Sequence, residues 1–371
     1  MINLRLLKLS DGALWSAVAL LALIGLLAIF SSTYSMQIKF GSDPLFFVKR
    51  QLLSLLVGMA GMALFAYLDF KHFKKGAYFL YFLMILLLGA VLVTGSSAQG
   101  AQRWFEIGNY SFQPSEVAKI VMVIFLAAFF SNQKKLKGFN FLSLFVMVGI
   151  PFLLIFKQPD LGTALVMMVI FMGMLAAAWS PSKVLILIIA IAIGVGIAFP
   201  YIWGMLKTYQ QHRIIAFINP ASDPKGAGYH SLQSLIAIGS GGLFGKGFMH
   251  GSQTQLQFIP EQHSDFVYSV VGEEFGFIGA AFVLFLFGII IWRALDLAAK
   301  SDDPFASLLS LGIAVMIGFH IFANIGMTVG LLPVVGIPLP FMSFGGSSLL
   351  TNLVAVGILQ SISMRRRKMF F

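Results

Sequence analysis

Cysteine is absent from the 371 residues, which excludes a disulfide framework, a thiol nucleophile and any Cys-ligated metal or cluster. Charge is almost as scarce. Only 11% of the residues are Asp, Glu, Lys or Arg, against about 25% in soluble globular domains. Hydrophobic residues make up 58% and the mean hydropathy is +0.90. A chain of this size then lacks the polar side chains to cover a water-facing surface. A soluble enzyme, a nucleic-acid-binding module and a disordered protein are excluded on that ground. Acids are the scarcer sign, 14 Asp and Glu against 25 Lys and Arg. Such an excess collects in the cytoplasmic loops of membrane proteins, so no nucleic acid partner is needed to explain it. Alternating ten-residue segments, the mark of a transmembrane β-barrel, are missing as well.

What the chain has instead is long apolar runs. A bilayer core needs about 20 mainly apolar residues per helix, and runs of that kind lie near 13–33, 51–68, 76–95, 113–131, 141–156, 161–179, 184–203, 266–292, 306–330 and 344–363. The fold expected is an all-α polytopic membrane protein of about ten transmembrane helices, forming one membrane domain over 1–371. The first run is too long for a signal-peptide core and leads into SSTYSMQIKF without a small-residue cleavage site, so it is expected to stay as a span.

Fifteen of the 25 basic residues fall in short segments on one side: Arg5, Lys8, the clusters within 71–75, 134–137 and 365–368, Lys183, Arg293 and Lys300. Nine fall on the other side, four of them in one long stretch from 204 to 265, and Lys119 lies within a span. The positive-inside rule therefore puts both termini in the cytoplasm and makes 204–265 a large extracytoplasmic loop between helices 7 and 8. Its glycine-rich part, GSGGLFGKG at 239–247, suits tight turns.

Ionisable groups inside a bilayer are costly and mark function by default. Glu116 and Lys119 share a face of helix 4 at i, i+3, within roughly 5–10 Å of its outer end. Glu273 and Glu274 come about two turns into helix 8, where packing is the simpler role. Arg50 and Arg103 are placed just outside helices 2 and 4, and Asp160 and Asp265 at the outer ends of helices 6 and 8. His320 alone looks mid-membrane. A transporter of a charged substrate would concentrate such groups at the midplane; here they gather at one face, as in a cleft open to the outer leaflet.

The motifs GAQRWFEIG (100–108), QPSEVAK (113–119), KQPDLGTAL (157–165), YQQHR (209–213), GYHSLQSLIAIGSGG (228–242), PEQHSDFVYSVVGEEFG (260–276) and GLLPVVGIPLPFMSFGGSS (330–348) resemble the SEDS family in order and spacing over essentially the whole chain. The stretch 245–266 resembles its elongation branch more than its division branch. The resemblance implies a ten-helix peptidoglycan glycosyltransferase that polymerises lipid II on the outer face of the cytoplasmic membrane. It also implies a class B penicillin-binding protein as partner, with other elongation proteins around it.

The same resemblance implies that Asp265 is the catalytic carboxylate, a general base toward the acceptor hydroxyl; an N-cap for helix 8 is the bland alternative. One carboxyl can suffice, because pyrophosphate leaves as an anion and cations can stabilise its charge in place of a second acid. Arg50, Arg103 and Lys119 are the phosphate binders expected, with interfacial snorkelling as the other reading for the two arginines. Glu116 with Lys119 is also readable as a structural ion pair, and Asp160 as a site or metal residue or a helix 6 cap. Gln211, His212 and Arg213 are expected at the rim, and His263 and Ser264 beside Asp265. A Mg²⁺ or Mn²⁺ ion shared between carboxylates such as Asp160 or Asp265 and substrate phosphates is chemically reasonable. The proline-rich stretch 331–348 is expected to be irregular and buried in protein. A lipid II flippase and a non-enzymatic scaffold for the penicillin-binding protein are the rival functions.

Overall fold

In a computed structural model, residues 9–98, 101–108, 110–132, 138–179, 181–205, 211, 215, 217 and 227–368 are described. Each apolar run lies on a helix: α1 (Gly12–Lys39), α2 (Phe46–Tyr67), α3 (Phe70–Thr94), α4 (Pro114–Ser131), α5 (Gly138–Lys157), α6 (Leu161–Ala178), α7 (Pro181–Met205), α10 (Val267–Lys300), α11 (Pro304–Thr328) and α12 (Gly346–Lys368). Among the described residues, eight of these are long and apolar enough to cross a membrane, and α5 contributes the shorter apolar stretch Leu142–Lys157. The chain is a multi-pass membrane protein.

The middle of the bundle is α4, apolar on every side beyond its polar first turns and buried almost throughout, as a helix enclosed by other helices must be. It packs on α3, α6 and α11, while α12 lies along α2. Close approach is bought by small residues: a Cβ on Gly25 would stand 2.5 Å from the Met342 backbone. Many polar side chains inside the bundle find partners within it. At one end Gln360 clasps the Asp11 peptide, taking its N–H at 2.8 Å and donating to its carbonyl at 2.9 Å. The Asp11 carboxylate caps α1 and pairs with Arg293.

Two connections depart from the simplest sequence expectation. Between α3 and α4 the chain forms a small antiparallel sheet, β1 (Ser96–Ala98), β2 (Ala101–Ile107) and β3 (Tyr110–Phe112), in that order, with Phe105 opposite Phe112. The stretch expected as a long loop contains two helices, α8 (Ala227–Gly241) and the single turn α9 (Ser252–Gln255), and α8 packs on α10. The reason is visible in α10, which breaks at Gly276 (φ 66°), a backbone that glycine adopts freely. The segment 242–247 supplies the missing hydrogen bonds: Lys246 and Gly247 donate to the Glu273 and Glu274 carbonyls, and Phe277 donates to Gly242 O at 2.8 Å.

The proline-rich segment between α11 and α12 is irregular, as expected, with Ile337, Leu339, Phe341 and Met342 buried. It braces the approach to α10. Phe344 N–H donates to His263 O at 2.9 Å, and Ser343 Oγ donates to Ser264 O. Asn324 of α11 donates to both Asp265 O (2.9 Å) and Ile337 O (2.8 Å). Three successive carbonyls are thus held before the helix begins.

Candidate active site

A cavity of about 290 Å³ opens where β2, the first turns of α4 and α6, the residues before α10 and the segment before α12 meet. Arg103, Glu116, Lys119, Asp160, Ser264 and Asp265, all expected from the sequence, line it together. They come from four separate stretches of chain, so only the fold can unite them.

Asp265 is carried on the braced segment. Its N–H donates to Glu261 O at 3.0 Å and its carbonyl accepts from Asn324, which fixes the backbone from which the carboxylate projects. The residue capping α10 is Phe266, which makes no side-chain cap bond.

Lys119 is buried and donates to Glu116 Oε1 at 2.8 Å, one turn back on α4. The i, i+3 pair thus forms as the spacing predicts. Its ammonium also lies 2.8 Å from His320 Nε2 of α11. His320 lines the same cavity, so it is not a separate mid-membrane group, and the feature that leaned toward transport is absorbed into the site. Arg103 donates through Nε to Gln158 O at 2.8 Å and through Nη2 to Pro159 O. Those bonds use two of its five donors and tie β2 to the α5–α6 corner. The guanidinium also lies 6.0 Å from the Trp104 ring centre.

Asp160 is a helix cap. It accepts from Thr163 N at 3.1 Å, Thr163 Oγ1 at 2.9 Å, Gln113 Nε2 at 3.1 Å and Ser115 Oγ at 3.4 Å. With four donors on its two oxygens it holds the α4 and α6 N-termini together, the cap alternative, and is poorly placed as a metal ligand.

Other expected residues lie elsewhere. Arg50 is not among the lining residues; α2 begins at Phe46, so Arg50 rides on the helix with its guanidinium 5.5 Å from the Phe46 ring. His263 packs between Phe47 and Phe344, with ring centres at 4.8 and 5.5 Å. It is not among the residues lining the cavity, and burial lowers its pKa below the usual histidine value against the pull of Glu261. Gln211 donates to Trp203 O at 2.7 Å and does not line the cavity. His212 and Arg213 lie outside the described residues.

Sequence reasoning missed Gln113 and Ser347, which also line the site and bond to each other, Gln113 N donating to Ser347 Oγ at 3.0 Å. Both stand at helix starts. The lining carries two cations, Arg103 and Lys119, and three carboxylates, Glu116, Asp160 and Asp265. Among the described residues no three His, Asp or Glu converge as metal ligands.

Residues 12–368 match the cell cycle protein family that groups FtsW, RodA and SpoVE. The chain belongs to this family. Among its relatives is the peptidoglycan glycosyltransferase MrdB of Escherichia coli K12, 40% identical over 76% of each chain. Another is a probable peptidoglycan glycosyltransferase FtsW of Geobacter sp. strain M18, 37% identical over 94% of this chain and 95% of that one. Of solved structures, one chain of a peptidoglycan synthase complex that coordinates polymerisation and crosslinking superposes with a TM-score of 0.80. It is 32% identical and covers 96% of this chain and 98% of its own. The rod shape determining protein RodA of Thermus thermophilus gives 0.71 at 28% identity, covering 96% of this chain and 97% of that one.

Proposed function

We propose that the cavity is the polymerisation site of a peptidoglycan glycosyltransferase acting on lipid II for cell elongation and shape. The chain is a peptidoglycan glycosyltransferase, as its named relatives are. The observation that carries the site assignment is that Asp265, on a braced backbone, shares one cavity with Arg103 and Lys119. At about 290 Å³ the cavity is at the small end of ligand sites, sized for the reacting pyrophosphate–sugar junction and not for the whole lipid-linked disaccharide-peptide.

In this reading Asp265 takes the proton from the acceptor hydroxyl as that oxygen attacks the donor sugar's anomeric carbon, and the C–O bond to pyrophosphate breaks. Arg103 and Lys119 stabilise the negative charge that grows on the leaving pyrophosphate. The fixed charges of the lining sum to one negative, since Lys119 is balanced by Glu116 and Arg103 by one of the two aspartates. A pyrophosphate entering that field needs further countercharge, which fits a Mg²⁺ or Mn²⁺ ion carried mainly by substrate phosphates. Asp265 is the residue that would share such an ion; it would supply charge neutralisation at the phosphates. The distribution of Lys and Arg supports a cavity end of the bundle that faces outside the cytoplasmic membrane, with both termini inside. The partner is a class B penicillin-binding protein that crosslinks the product, by likeness to the synthase complex.

The test is the purified full chain with its class B partner in liposomes, supplied with lipid II on the outer face. Glycan polymer is the expected product. Movement of lipid II between leaflets with no polymer would support the flippase instead.

A further inference from the structure

His320 lies on α11, which carries none of the catalytic or phosphate-binding residues assigned above, and its ring geometry has a definite polarity. Nδ1 lies 2.7 Å from the Met316 carbonyl oxygen one turn earlier on α11, and a carbonyl can only accept. The ring proton therefore sits on Nδ1, leaving Nε2 as a lone-pair acceptor. That acceptor faces the Lys119 ammonium at 2.8 Å. An ammonium has three donors. Glu116 Oε1 takes one and His320 Nε2 another, which leaves the third for the cavity that Lys119 lines.

An alternative arrangement is available to Lys119. Glu116 Oε2 is buried and has no hydrogen-bond partner among the described residues. Without the imidazole acceptor the flexible ammonium could swing onto both Glu116 oxygens, satisfying the empty one and drawing back from the cavity.

We propose that His320 is a positioning residue for Lys119, holding the ammonium by an Nε2 acceptor so that its remaining donor meets the pyrophosphate. This rests on the reading of the cavity as a pyrophosphate site. The effect should appear where charge develops on the leaving group, in kcat more than in KM.

The experiment compares initial rates of lipid II polymerisation by the full chain with its partner for wild type, H320L, H320Q, K119M and H320L/K119M. A glutamine can offer its amide oxygen near the Nε2 position. We expect H320L to lower kcat about 10–100-fold with KM changed less than about 3-fold, the scale of a displaced charge-stabilising donor. H320Q should recover to within about 3-fold of wild type, because the acceptor is restored. In the K119M background H320L should add no further loss, since coupled residues fail to add. Independently of turnover, the ¹⁵N signal of His320 Nε2 in labelled protein should be that of an unprotonated ring nitrogen.

The role is overturned if folded H320L turns over like wild type, if H320Q is as slow as H320L at equal thermal stability, or if Nε2 carries the proton. A wild type that makes no polymer would overturn the pyrophosphate reading and this role with it. A polymerising wild type beside an equally fast H320L overturns this role alone.

Discussion

Glu273 and Glu116 are two buried acids in one bundle, each paired with a lysine at 2.8 Å, and they differ in how much of their bonding capacity is spent. Glu273 accepts from Lys246 Nζ, Gln253 N, Thr254 N and Thr254 Oγ1, all between 2.8 and 2.9 Å. Those donors tie the 246–254 loop to α10, and the carboxylate has no role left over. Glu116 spends one oxygen on Lys119 and leaves the other without a partner among the described residues, in the wall of a cavity. A buried charge alone therefore does not mark a site. Buried polar groups are normally satisfied, so the informative acid is the one whose partners are incomplete next to open space.

The contrast can be broken most sharply at the lysines. Lys119→Met should cut the polymerisation rate about 10²–10³-fold, the usual effect of removing a charge-stabilising donor. It should also destabilise the chain by about 3–5 kcal/mol, because Glu116 is left buried without its counterion. Detergent-phase thermal unfolding alongside the lipid II assay reads both. Glu273→Gln tests the other side. We expect a loss of about 1–3 kcal/mol from its broken donor set, with the rate per folded molecule within about 2-fold of wild type, as for a site remote from the chemistry. A rate collapse in that variant at unchanged stability would erase the distinction.

Smaller effects sharpen the outline of the site. Arg50→Ala should change the rate by less than about 3-fold, because its guanidinium lies over Phe46 and outside the cavity lining, and a peripheral cation contributes little to chemistry. His263 gives the pH signature. Its folded pKa is lowered by burial between Phe47 and Phe344, so the unfolded chain binds the proton more readily. Stability from this group is complete above about 6.5, the ordinary histidine value, and is lost as pH falls through the folded pKa. The drop in unfolding temperature from pH 7.5 to pH 5 should be smaller in His263→Phe than in wild type.

Much of this was legible in the sequence because it is one-dimensional. Apolar runs fixed the helices, the i, i+3 spacing gave the Glu116–Lys119 pair, and Pro333, Pro338 and Pro340 marked the irregular segment. The rest depends on rotations and offsets that periodicity does not carry. The meeting of His320 with Lys119 needs the relative rotation of α11 and α4. The position of Arg50 outside the cavity lining goes with a helix that begins at Phe46, five residues earlier than its apolar run. The β1–β3 sheet carries little periodic signal: β1 and β3 have three residues each, and the seven of β2, AQRWFEI, do not alternate. The sequence leaves Asp160 open as a cap or a site residue, and only its four donors show that the cap holds.

The most direct test of the central claim is Asp265→Asn, measured for lipid II binding and polymerisation in one preparation with its partner. Polymerisation should fall by about 10²–10⁴-fold, the contribution of a general base, with binding and thermal stability kept. A variant that binds lipid II and polymerises it at the wild-type rate would show that the proton is taken elsewhere and that this cavity is not where the glycosidic bond forms.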